Sequence, residues 1–284
     1  MTDAILVEKA DAPPAFTAEE LSEYLVRIGY TGPLNAESGV LAKLQQHHLG
    51  AIPFEALDVL LGRGVQIDPR SVFDKLVRRR RGGYCYEQNG LFARALESLG
   101  FQVAPRVARV LWGGRDPEAA PLRTHMLLLV EASGVTWLVD VGFGAAVPPQ
   151  PLRWDSDAIQ ETPFGRYRLT PTDFGQLVQT DVAGSWRPAY EVYREPPKPV
   201  DFEVFNWFTS THPSSPFRRE LIAARLTGEG RFTLFGAELT RRLTSGERRR
   251  ERLTAEGLQA ALRDVFGIPV EAEWQGLIQE VAGE

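Results

Sequence analysis

Cys85 is the only cysteine among 284 residues, and it stands inside RRRRGGYCYEQNGLF at 78–92. Taken alone, such a side chain reads as a small buried apolar residue. Its neighbours point elsewhere. Gly82 and Gly83 let the backbone turn sharply just before it, and a helical apolar pattern follows. The sulfur therefore falls near a helix N-terminus, where the positive dipole end and Arg81 would stabilise a thiolate. The same turn can aim unpaired backbone N–H groups at a carbonyl oxygen in front of the sulfur, which is what an oxyanion hole requires. The chemistry suited to these residues is covalent catalysis on a carbonyl carbon.

A thiolate nucleophile needs a base, and the base needs an orienting partner. There are four histidines. His47 and His48 are adjacent on an expected helix and His212 lies in the loop STHPSSPF; all three read as packing or hydrogen-bonding residues. His125 differs, because it opens the strand THMLLLV and the next strand, VTWLVDVGF, carries Asp140. A two-residue turn centred on Ala132-Ser133 sets His125 directly opposite Asp140; one centred on Ser133-Gly134 sets it diagonally across. Both registers put the two side chains on one face, whereas an odd-length loop would separate them. If they share a face, the carboxylate fixes the imidazole tautomer and leaves the other ring nitrogen for the sulfur, giving a Cys85, His125, Asp140 triad. Alone, Asp140 could equally be a strand-end carboxylate capping a turn.

The glycines of VGFG at 141–144 allow close backbone approach to an acyl group or a phosphate. They do not make a nucleotide fingerprint: the third glycine of that motif is missing, and no Walker GK[ST], HExxH or GxSxG occurs. Metal catalysis and serine hydrolysis have no motif here, and a lone cysteine forms neither an internal disulfide nor a cysteine-rich zinc site.

The elements that must position these residues change character along the chain. The first hundred residues read as helical. Thr17 and Glu20 form a capping-box pattern, Phe16 and Leu21 a staple, and Leu21, Tyr24, Leu25 and Ile28 one stripe. Further helices are expected over 40–48, over 69–79, and after Cys85, with Gly100 as the stop. In that reading the cations of 78–81 are a solvated last turn at the negative end of the helix dipole. From Phe101 short strands follow at 103–112, 124–132, 135–143, 166–172, 174–181 and 186–194, suggesting an antiparallel sheet or barrel. EPPKPV at 195–200 reads as a linker. Beyond it come polar loop residues, a strand pair near 231–240 and a helix opening at Thr254 with Leu258, Leu262 and Val265 inward.

With 43% hydrophobic and 24% charged residues the chain reads as an ordinary globular protein, and a net charge of −5 argues against a general nucleic-acid binder. No apolar run reaches the about 18–20 residues of a membrane span, and MTDAILVEKADAPP lacks a secretory signal. The expectation is a cytoplasmic protein with no nucleic-acid or membrane partner.

Taken together, AIPFE at 51–55, RGGYCYE at 81–87, His125 on its strand, WLVDVGFG at 137–144 and HPSSPF at 212–217 resemble the arylamine N-acetyltransferases. The pieces run in the expected order over most of the chain, the RGGxCxE and DVGFG elements being the most specific. The resemblance implies an α+β fold: a helical first domain (1–100) carrying the nucleophile, an antiparallel β-barrel (101–200) carrying His125 and Asp140, and a small α/β lid (201–284). It implies a ping-pong reaction in which Cys85 takes an acetyl group from acetyl-coenzyme A and passes it to an arylamine or arylhydrazine, without a metal. It implies a supporting Glu55–Arg81 ion pair, and a substrate or coenzyme wall including Gly142, Phe143 and Gly144. Phe54, Tyr84 and Phe205 are further aromatic candidates for that wall. A related amide synthase, closing an acyl chain onto an amine with the same triad, is the nearer alternative. A transglutaminase-like thiol hydrolase is the farther one, and a non-catalytic binding module with a buried Cys85 is a third. The oligomeric state has no signature in the sequence.

Overall fold

The computed structural model describes residues 14–113 and 121–283. The N-terminal segment read above for a secretory signal lies, except for Pro14, outside the described residues. Helix α1 (Ala18–Ile28) starts as its capping box demands: the Thr17 hydroxyl accepts from Glu20 N–H, and the Glu20 carboxylate accepts from Thr17 N–H. It is followed by α2 (Ser38–Ala51), the short strand β1 (Phe54–Glu55), α3 (Leu57–Leu60) and α4 (Pro69–Phe73). Asp68 caps α4, whose last turns widen into a π segment over Asp74–Arg78. Helix α5 (Cys85–Ser98) begins at the cysteine itself, and Gly100 beyond it takes the left-handed conformation.

Eight strands then form one antiparallel sheet: β2 (Gln102–Val110), β3 (Arg123–Ala132), β4 (Val135–Val139), β5 (Leu152–Arg153), β6 (Gln160–Thr162), β7 (Gly165–Pro171), β8 (Gly175–Val182) and β9 (Ser185–Tyr193). Their order, β5-β4-β3-β2-β9-β8-β7-β6, curls into a nearly closed barrel. At the seam the Gln160 side chain substitutes for strand pairing. Its Oε1 accepts from Arg153 N–H at 2.7 Å and its Nε2 donates to Arg153 O at 3.0 Å, tying β6 to β5. Strand β3 is buried on both faces, which explains its unbroken apolar run. Leu127 and Leu129 fill the barrel interior with Leu138, Val178 and Tyr190, while Met126, Leu128 and Val130 pack into the helical core.

The polar loop expected after 195–200 is instead α6 (Pro199–Thr211). Pro199 sits at its first turn and the Asp201 carboxylate accepts from Lys198 N–H at 2.8 Å. Its helical period is hard to read because apolar residues lie on both faces: Phe202 inward, Val200, Val204 and Trp207 exposed. The strand pair expected near 231–240 is part of a larger sheet, in which β10 (Ile222–Thr227), β11 (Gly230–Phe235), β12 (Glu238–Leu243) and β13 (Arg248–Arg252) form a meander. Strand β1 pairs with β10, Phe54 opposite Ala224. The charged edge strand β13 escapes recognition because RRRER has no apolar alternation; such charge is how exposed edges are kept from pairing further. Helix α7 (Ala255–Ala260) is capped by Thr254 and runs into a π turn, with Leu258 and Leu262 buried and Val265 half-buried; α8 (Gln275–Ala282) closes the chain. Among the described residues no helix is long and apolar enough to cross a membrane.

Candidate active site

The β3–β4 hairpin decides the register left open above. Ala132 pairs with Val135 through a turn of Ser133 and Gly134, both at positive φ (54° and 73°), which is the two-residue geometry that follows strand twist. Leu128 consequently faces Val139, and His125 lies diagonally across from Asp140 on the barrel-interior side. His125 Nε2 and Asp140 Oδ2 are 2.8 Å apart.

Helix α5 brings the sulfur to this pair. Cys85 occupies the first position of α5, close enough to His125 to act on its charge, and its thiol reaches the Thr124 carbonyl at 3.7 Å. With Nε2 engaged by the carboxylate, Nδ1 is left for the sulfur. Asp140 is completely enclosed, whereas Cys85 keeps 5% exposure, so the carboxylate can act only through the imidazole. Burial would depress His125, but the charge and hydrogen bond of Asp140 and the contact with Cys85 outweigh it and hold the imidazole up at about 9. At neutral pH the ring is an imidazolium between two groups that accept its protons.

Several further residues fasten this arrangement, of which the sequence reading named only His48. Asn89, one turn into α5, donates to Met126 O at 2.8 Å and to Asp140 Oδ1 at 3.2 Å, and accepts from Val141 N–H at 3.1 Å. It is the direct stitch between helix α5 and the hairpin. Tyr190 on β9 packs against His125 at 5.0 Å and Phe143 at 4.6 Å. His48 is fully buried, as its reading as a packing residue anticipates. It lies within hydrogen-bond distance of Tyr24 and Gln88, and Gln88 Nε2 donates to Pro53 O and Gly83 O. Burial chiefly pushes His48 down to about 4, so it stays neutral. The only advance signal for Asn89 and Gln88 is their place beside Cys85 in the first turns of a helix whose later residues carry an apolar stripe.

Beneath the glycine turn is a buried charge network. Arg81 Nε donates to Glu55 Oε1 at 2.9 Å; Arg81 also contacts Asp58 and Glu271 and stacks on Trp274 at 4.6 Å. Glu55 Oε2 accepts from Leu57 N–H. Lys75 bridges Asp58 and Glu87, each at 2.7 Å, and Glu87 Oε2 accepts from Tyr84 N–H at 3.0 Å. Burial raises Glu87, an effect opposed by Lys75. These contacts hold the backbone on either side of Cys85. Their closeness explains the glycines: a Cβ on Gly82 would lie 2.2 Å from Pro53 O, and one on Gly142 would lie 2.6 Å from Cys85 Cα.

The candidate wall residues divide. Gly142 touches the cysteine backbone and donates its N–H to Asp140 Oδ1 at 2.8 Å. Phe143 packs edge-on against His125 at 4.9 Å. Gly144, at φ +75°, lies against the Phe54 ring, which in turn meets Phe217 of the HPSSPF segment at 6.0 Å. Tyr84 has no exposed surface; its hydroxyl donates to Asn206 on α6. Phe205 packs against Phe202 at 6.4 Å on the same helix. His212 ends α6 and bonds with the Ser214 hydroxyl, and His47 is exposed with Nδ1 on Ile28 O.

Comparison with known proteins matches the chain to a family. A family described as N-acetyltransferase matches residues 39–275. An arylamine N-acetyltransferase from Mycobacterium tuberculosis is 39% identical over 256 residues, covering 89% of this chain and 90% of that protein. One from Escherichia coli is 36% identical over 266 residues, covering 92% and 94%. The structure of Mycobacterium marinum arylamine N-acetyltransferase in complex with CoA superimposes with a TM-score of 0.86 at 38% identity, over 92% of this chain and 98% of that one.

Proposed function

The chain belongs to the arylamine N-acetyltransferase family, and on that premise we propose that Cys85, His125 and Asp140 perform acetyl transfer from acetyl-coenzyme A to an arylamine or arylhydrazine. The observation that carries this reading is the imidazole of His125, bonded to Asp140 at 2.8 Å and raised in pKa by that carboxylate and by the neighbouring Cys85.

In the first half-reaction the Cys85 thiolate adds to the thioester carbonyl carbon of acetyl-coenzyme A. The N–H groups of the first turn of α5, which have no intrahelical acceptors, receive the oxyanion. The bond from carbonyl carbon to coenzyme sulfur breaks, and the departing thiolate takes the Nδ1 proton of His125. Acetyl-Cys85 and neutral imidazole remain. In the second half-reaction the amine nitrogen adds to the acetyl carbon, His125 takes the amine proton, and the Cys85 thiolate leaves. Asp140 holds the ring in the orientation both steps need. A thioester is already activated toward amines, so the residues present suffice for both proton transfers. Gly142, Phe143, Gly144 and Phe54 line the acceptor side in this reading, and the Glu55–Arg81 pair supports the turn. The division into 1–100, 101–200 and 201–284 and a cytoplasmic location with coenzyme A and small aromatic amines as partners complete it.

Brief exposure to acetyl-coenzyme A should add one acetyl group, mapped by peptide mass spectrometry to Cys85 and removed on adding an aromatic hydrazine. Cys85→Ala should take up none while remaining folded. An adduct on another residue, or its rapid loss to water without amine, would overturn the assignment.

A further inference from the structure

An open cavity of about 630 Å³ lies away from the triad, sharing none of its residues, between the ends of α1 and α2, the residue Arg80 and strand β10. Three arginines line it, Arg27, Arg80 and Arg225, together with His47 and Gln46; its lining contains no aspartate or glutamate. Among the described residues none of the three guanidiniums has a carboxylate within ion-pair distance. The C-terminal end of α2 meets part of that charge, Ala51 O accepting from Arg27 and Gly50 O from Arg225, and Ile28 O of α1 lies within hydrogen-bond distance of His47; these neutral carbonyls supply partial charge but no formal counter-charge.

We propose that this cavity is a second ligand site, built for a small polyanion of the diphosphate class. A guanidinium offers five N–H donors in a planar fork. Arg27 uses three, on Leu76 O, Ala51 O and Arg80 O, and Arg225 uses two, on Gly50 O and Val265 O. Donors thus remain on side chains that the fold already holds in place, which is the arrangement favouring bidentate oxyanion recognition. Arg27, only 6% exposed, cannot turn away to water. Burial lowers it first, and repulsion from Arg80 and Arg225 lowers it further, to about 10. A bound dianion relieves that repulsion. Arg80 adds a second sign of a constrained position, since it holds φ at +55° without being glycine. It directly precedes Arg81, so an occupant would brace the approach to the nucleophile turn from outside and join it to β10.

The test titrates inorganic pyrophosphate into the full chain by calorimetry at constant ionic strength, with ADP as a second arm. Saturable binding tighter than about 1 mM is expected, weakened about tenfold in Arg80→Ala and largely kept in Arg80→Lys, with Cys85 acetylation unchanged in both. ADP binding as tight as pyrophosphate, with the same Arg80 dependence, assigns the site to nucleoside diphosphates; weaker ADP binding assigns it to the free ion. A measurement independent of variants is arginine modification by phenylglyoxal, where pyrophosphate should protect Arg80 and Arg225. No saturation, binding indifferent to Arg80→Ala, or protection confined to arginines outside the cavity would overturn the proposal.

Discussion

In the proposed mechanism His125 moves the protons, and its titration has consequences that can be measured. Its folded value of about 9 lies above the ordinary 6.5, so the native state holds its proton more tightly than the unfolded chain does. The stabilisation from this group is complete below pH 6.5 and is lost as pH rises through 9. It amounts to a few kcal/mol by linkage, at about 1.4 kcal/mol per unit. The urea midpoint of the wild type should therefore fall across that window, and Asp140→Asn, which removes the charge that raises the imidazole, should flatten the fall. The same substitution should lower kcat/KM about 10⁴-fold by mis-setting the ring tautomer, as in comparable triads. A variant retaining a tenth of wild-type activity would remove Asp140 from the mechanism. These three residue types, and the glycines beside them, could be picked out from chemistry alone. Asn89 could not, because an amide inside a helix declares nothing until its three partners are in place.

At the scale of elements, the site is a joint between the first turn of α5 and the β3–β4 hairpin. Helix α5 is positioned by its apolar face and by Glu87, whose carboxylate caps Tyr84 N–H; the hairpin is positioned by its two-residue turn. Asn89 fastens one to the other. Asn89→Ala leaves Val141 N–H without its acceptor and Met126 O without its donor, and the expected cost is about 2–4 kcal/mol by chemical denaturation. Because Asp140 also loses a partner, the acetylation rate of Cys85 should drop in the folded variant, a change that simple destabilisation would not produce below the melting range. The helices α1, α2 and α5 and six of the eight barrel strands follow from periodicity and capping, while β5 and β6, of two and three residues, are too short to show a period. Helix α6 does not, since apolar side chains on both of its faces blur the 3.6-residue period, and its proline start resembles a linker.

In the whole molecule, the C-terminal sheet and helices reach back to the glycine turn before Cys85. Strand β1 extends their sheet, Leu57 enters their core, and Arg81 stacks on the fully buried Trp274 while pairing with Glu271. Trp274→Ala should cost about 3–5 kcal/mol, by loss of packing. Circular dichroism and Cys85 alkylation, followed together on heating, should report one shared transition at lower temperature; separate transitions would show the tail and the site to be uncoupled. From its residues alone the chain declares a thiol at a helix start, a histidine and aspartate on neighbouring strands, and the change from helices to short antiparallel strands. All of these rest on local periodicity and covalent spacing, which are short-range properties. The turn that chose the diagonal register, the Asn89 stitch, the return of β1 to β10 and the clustering of Arg27, Arg80 and Arg225 were decided only by tertiary structure. Each joins residues whose separation in sequence carries no period, so only the packing of the whole chain brings them together.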